Sequence, residues 1–143
     1  MGTRDYYLFR AGAAPASYTN GTGPDYLLDY GLPNFDKFTA LAAGDVSPQL
    51  KAFVSNTGYA LQANLEDALA ANNSLAGNRG DLYDAAYATH ALAYQQGGFG
   101  KLDFPDQFRV ARTPSFSDTV FSGSWWMTAP KDITLVHPFT WHY

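Results

Sequence analysis

Two stretches of the chain carry a helical period and the rest is broken into short pieces. The clearest begins at Ser47-Pro48, where a serine can cap free backbone N–H groups and the following proline already holds the φ angle of a first helical turn. The pattern predicts a helix over 48–71. At 100° per residue Leu50, Val54, Thr57, Leu61, Leu65 and Ala68 fall on one stripe, flanked by Phe53 and Leu69, so this stripe is the expected core face, with Leu61 and Leu65 buried. Gly58 weakens the middle of that helix and marks an expected close packing contact. Asn72, Asn73 and Ser74 end it.

A second helix is predicted over 82–96, with Asp81 as its cap, Asp84 in its first turn and Gly97-Gly98 as its stop. Leu82, Ala85, Ala86, Thr89, Leu92 and Ala93 make one small-residue side, and Tyr83, Tyr87, His90 and Tyr94 make a stripe beside it. Elsewhere the expectations are shorter. Asp5 to Arg10 is aromatic and β-prone and predicts a strand; the Gly- and Pro-rich stretch to Asp25 predicts a loop. Tyr26 to Tyr30 fits either a short strand or a helical turn, Phe35 to Ala43 a short helix ended by Gly44, and Asp106 to Arg112 a helical turn or two. Trp125 to Met127 and Ile133 to Val136 read as strands, and Phe139, Trp141 and Tyr143 alternate with period two. Together these predict one α+β domain over 1–143, two packed helices with short strands from both ends. No internal repeat is present.

Composition narrows the function classes. With 46% hydrophobic and 16% aromatic residues the chain belongs to the folding, globular class. Only 15% of residues are charged, against roughly 25% on average, so the polarity comes from Tyr, Asn, Ser and Thr. A weakly charged, tyrosine-rich exterior has the composition of a protein interface. The net charge of −4 and the scattered Lys and Arg leave no basic patch for nucleic acid or for an anionic membrane. No run is apolar enough to span a bilayer, and Met1 to Gly12 lacks the charged start and apolar centre of a signal peptide, which leads us to expect a cytoplasmic protein or one exported by a signal-independent route. Without cysteine there is no thiolate chemistry and no disulfide.

Candidate chemistry is sparse. Glu66 is the only glutamate; with Gln62 at i−4 it could serve as a general acid or base, yet it lies about 140° from the leucine stripe, on the side expected to face water. His90, mid-helix in the tyrosine stripe, is the better proton-transfer candidate, since partial burial lowers an imidazole's pKa. No G-x-S-x-G nucleophile motif accompanies it. His137 and His142 would lie on opposite faces of an extended tail, and the Gly-rich runs lack the phosphate-loop and dinucleotide patterns, so neither a metal nor a cofactor is expected.

Tyr30-Gly31, Asn34-Phe35, Lys37-Phe38, Ser47-Pro48, Leu61-Gln62, Glu66, Ala88-Thr89-His90, Ala93-Tyr94, Gly98-Phe99, Leu102, Asp106 and Arg112-Thr113-Pro114 form a pattern over about residues 26–120. It resembles small bacterial proteins encoded near contact-dependent toxin or secretion genes. That resemblance implies a secretion-associated setting, as effector, immunity protein or structural accessory, and carries no activity. The reading reached from the sequence is a non-catalytic interaction or assembly protein with a protein partner or self-association, its contacts drawn from Tyr83, Tyr87, Tyr94, Trp141 and Tyr143. The alternative is a small hydrolase or toxin-like effector using His90 with Glu66 or a neighbouring tyrosine.

Overall fold

The computed structural model describes residues 1–113, and these are helical: 79% lie in helix and none in a strand. The α+β expectation is therefore corrected to an all-helical arrangement in this region. The strands expected at Trp125–Met127 and Ile133–Val136 and the alternating tail lie outside the described residues.

The reversal is sharpest at the N-terminus. Asp5–Ala13 forms helix α1 where a strand was expected. Its aromatic run satisfies both periods: Tyr7 and Ala11 turn inward, Tyr6 and Arg10 share a flank, and Phe9 stays outside. Burial of the Tyr7 side decides for the helix, because strand propensity is a matter of surroundings rather than of backbone preference. Tyr7 packs on Gly31, where an added Cβ would lie 2.5 Å from its ring. A one-turn helix, α2 (Ala16–Thr19), follows in the stretch expected to be loop. Asp25 then caps a π-helical turn at Tyr26–Gly31, accepting from the backbone N–H of Leu27 at 3.0 Å and of Leu28 at 3.3 Å, and the turn runs straight into α3 (Leu32–Ala43).

Helix α4 spans Pro48–Ala71, with the Ser47 hydroxyl accepting from Leu50 N–H at 3.0 Å. Its start and stop match the sequence reading, but its inner face is rotated from the expected one. Leu50, Phe53, Thr57, Leu65 and Leu69 are buried, whereas Leu61 is half-buried, and Gln62 is wholly enclosed. The helix threads two apolar clusters. Its first half joins Phe38, Tyr94, Phe99 and Val110; its second half joins Tyr7, Tyr18, Tyr26 and Leu82.

The single helix expected over 82–96 is two: α5 (Arg79–Ala88) and α6 (His90–Gly97). Thr89 ends the first, with its hydroxyl donating to Ala86 O at 2.8 Å, a local bond that competes with the helical ladder. Asn78, rather than Asp81, caps α5, accepting from Asp81 N–H at 2.9 Å. Leu92, placed on the inner side by the sequence, is exposed. Helix α6 lies along α4, and the two meet at Gly97 against Thr57. Gly98, at φ +95°, turns the chain out of α6 in the left-handed conformation that glycine adopts without strain. Asp103 then caps α7 (Phe104–Ala111), whose buried Asp106 accepts from the Ser47 hydroxyl and from Arg109 at 2.9 Å, tying α7 to the start of α4.

Candidate functional site

Helix α6 opens with His90, whose imidazole is buried. The residue is 1% exposed and its ring sits among tyrosines: Tyr87, Tyr30, Tyr26 and Tyr94 have ring centres 5.1, 5.6, 6.1 and 6.3 Å away. Its Nε2 and the Tyr26 hydroxyl share a hydrogen bond of 3.2 Å. Burial pulls the imidazole down to about 4, so it is neutral at ordinary pH, and pushes the Tyr26 phenol well above its usual range.

Tyr83 and Tyr87, half-buried and stacked at 6.1 Å, continue the cluster outward along α5, while Tyr94 is fully enclosed between Phe38 and Phe53. Of the stripe, Tyr87 and Tyr94 pack on His90, Tyr94 presents no surface to a partner, and Tyr83 and Tyr87 each keep part of theirs open. Trp141 and Tyr143 lie outside the described residues.

Glu66 stands elsewhere. The sequence put it in water; α1 covers it instead. Arg10 grips the carboxylate with two N–H groups, Nε to Oε2 at 2.7 Å and Nη2 to Oε1, and the Tyr6 hydroxyl donates to Oε2 at 2.6 Å. The Arg10 guanidinium holds the Glu66 carboxyl below its usual range and outweighs the partial burial that would raise it. Glu66 shares no hydrogen bond with His90, so the structure does not bring the two candidate catalytic groups into one site.

One turn before Glu66, Gln62 does for the backbone what Glu66 does for the side chains. Its Oε1 accepts from Gly2 N–H at 2.5 Å and from Thr3 N–H at 3.3 Å, while its Nε2 donates to Thr3 O at 2.7 Å. The amide thereby fixes the chain just ahead of α1 against α4. This role escaped the sequence reading, whose only hint was the Gln62–Glu66 spacing.

The seam so formed carries a surface cleft. An open cleft of about 390 Å³ is lined by Met1, Thr3, Asp5, Tyr6, Phe9, Arg10 and Glu66. Phe9 and Met1 in its lining are 71% and 56% exposed, and Tyr59, packed beside Gly2, is exposed as well. Aromatic and methionine side chains therefore frame a neutralised, hydrogen-bonded ion pair. Among the described residues no group of three or more His, Asp or Glu side chains could hold a metal ion, and no helix is long and apolar enough to cross a membrane. No protein-family model, curated protein or solved structure matches the chain.

Proposed function

We propose that this chain is a non-catalytic interaction protein that associates through the exposed aromatic face of α1. The observation that carries the reading is Phe9, a large aromatic held in water on a helix whose other sides are fastened down by Tyr7, by the Arg10–Glu66 pair and by Gln62. Interface centres are rich in aromatic residues, Met and Arg, and Phe9 stands beside Met1, Tyr6 and Arg10, with exposed Asp5 the one lining carboxylate outside an ion pair among the described residues. Because the scaffold beneath it is fixed, little ordering entropy opposes binding there. The enclosure of His90 and the engagement of Glu66 by Arg10 further support a role without catalysis. A secretion-associated bacterial setting and the absence of nucleic-acid partners belong to the same proposal, the latter supported by the net charge of −4.

The face carries the pairs Arg10 with Glu66 and Arg4 with Asp36 and the exposed carboxylate of Asp5, both signs of charge on one patch, which suits a two-fold contact between copies. Sedimentation velocity over a wide concentration range tests it. The wild type is expected to self-associate and Phe9→Ser to remain monomeric with an unchanged melting temperature. A wild type that stays monomeric at several hundred micromolar overturns the proposal.

A further inference from the structure

A second cleft lies between α3 and α4, separated from the first by the N-terminal residues, with Gly2 in its lining. Phe35, Phe38 and Ala42 of α3 face Val54 and Gly58 of α4 across a slot of about 220 Å³. The slot owes its depth to Gly58, because a Cβ there would come within 3.2 Å of the Phe35 ring. Three of its polar residues are exposed, Lys51 and Ser55 one turn apart on α4 and Thr39 on α3, while Thr57, also in the lining, is buried. Among the described residues the Lys51 ammonium has no carboxylate within 4.0 Å, although the protein as a whole is acidic.

From this geometry we propose that the slot binds a free, small monocarboxylic acid with an aryl or branched-alkyl body, the body against Phe35, Phe38 and Val54 and the carboxylate on Lys51. Size, polarity and charge all point the same way. A dry cavity of about 150 Å³ accepts benzene, so the slot has room for one ring with a short arm. Its walls offer an apolar ligand few hydrogen bonds, which leaves orientation to the polar groups at the mouth. An ammonium with two hydroxyls nearby can donate to the acceptor oxygens of a carboxylate, and its charge repels a second ammonium.

Phenylacetate titrated into the full chain, followed by amide chemical shifts, is the direct test. Shifts should be confined to α3, the first half of α4 and the chain at Gly2, with a dissociation constant of about 1 mM, the scale for a ligand of about ten heavy atoms. Lys51→Met should weaken binding about tenfold, as loss of one charge-assisted contact does, and phenylacetamide should bind wild type as weakly as phenylacetate binds that variant. Ala42→Leu, which fills the slot from its rim, should abolish binding while leaving the far-ultraviolet spectrum unchanged. Absence of shifts in the wild type, equal affinity for acid and amide, or undiminished binding by folded Ala42→Leu would each overturn the proposal. Lys51 is exposed, so its variant remains informative even if Ala42→Leu does not fold.

Discussion

The crossing of α4 and α6 depends on the missing side chain of Gly97. A Cβ at that position would overlap Thr57 Oγ1 and lie 2.9 Å from Thr57 Cβ and 3.1 Å from Thr57 N. Rotation of Thr57 about χ1 moves the hydroxyl away, but Cβ and N belong to the frame of α4 and move only with the helix. Gly97→Ala therefore forces the two helices apart along the contact that joins Phe53 to Tyr94. Overpacking of this kind costs about 1 to 3 kcal/mol, and gains from helix propensity reach at most about 1 kcal/mol, less at the last position of a helix. A net loss of about 2 kcal/mol is expected, a fall of about 5 to 10 °C in a domain of this size. Thermal and urea unfolding monitored by circular dichroism measure it. Thr57→Ala in the same chain should recover about half the loss, since it deletes the overlapping hydroxyl. Alone it should cost little, because among the described residues Thr57 Oγ1 is buried without a hydrogen-bond partner. A Gly97→Ala protein that melts at or above the wild-type temperature would refute this explanation of the crossing.

Glu66→Gln should lose about 1 to 2 kcal/mol in urea unfolding at neutral pH, because Arg10 keeps its charge and loses its counter-ion in a partly buried place; an unchanged midpoint would return Glu66 to the solvated position expected from the sequence. His90 has an ordinary pKa of 6.5 when the chain is unfolded and about 4 when folded, so the unfolded state takes up more protons between those values and stability falls as pH drops from 6.5 towards 4. The full effect is about 3 kcal/mol, read as the difference in acid dependence between wild type and His90→Gln; parallel curves would contradict it. Leu65→Ala should cost about 2 to 5 kcal/mol by leaving a cavity, and Leu61→Ala clearly less because Leu61 is only half-buried. Equal losses would restore the sequence-derived register of α4.

What the sequence made legible was local. Ser47-Pro48 announces α4 because capping and a fixed φ act within one turn, and Gly97-Gly98 stops α6 for the same reason. What it hid depends on partners far along the chain. Asp5 to Arg10 reads as a strand until Gln62 and Glu66, some 60 residues on, supply the surface it lies against. The same contact moves Glu66 out of water, which no periodicity within α4 could reveal. The second helix divides at Thr89 without Gly or Pro, where both the hydroxyl and the backbone N–H of Thr89 turn back to Ala86 O. Gly58 was the glycine that spacing marked for close packing, yet Gly97 makes the tighter approach, and only the crossing of two helices decides between them. Of the candidate site, His90 could be recognised as desolvated from its tyrosine neighbours; the exposed Phe9 could not, since its exposure follows from the direction in which α1 turns Tyr7.

Whether Phe9 marks the face through which copies of this chain meet is tested most directly, at single-residue detail, by a dilution series of amide chemical shifts. Shifts are expected to change with protein concentration along α1 and around Tyr59, to leave α6 and α7 untouched, and to lose that dependence in Phe9→Ser. Shifts that stay constant over the whole series, or that move on α7 and not on α1, would contradict it.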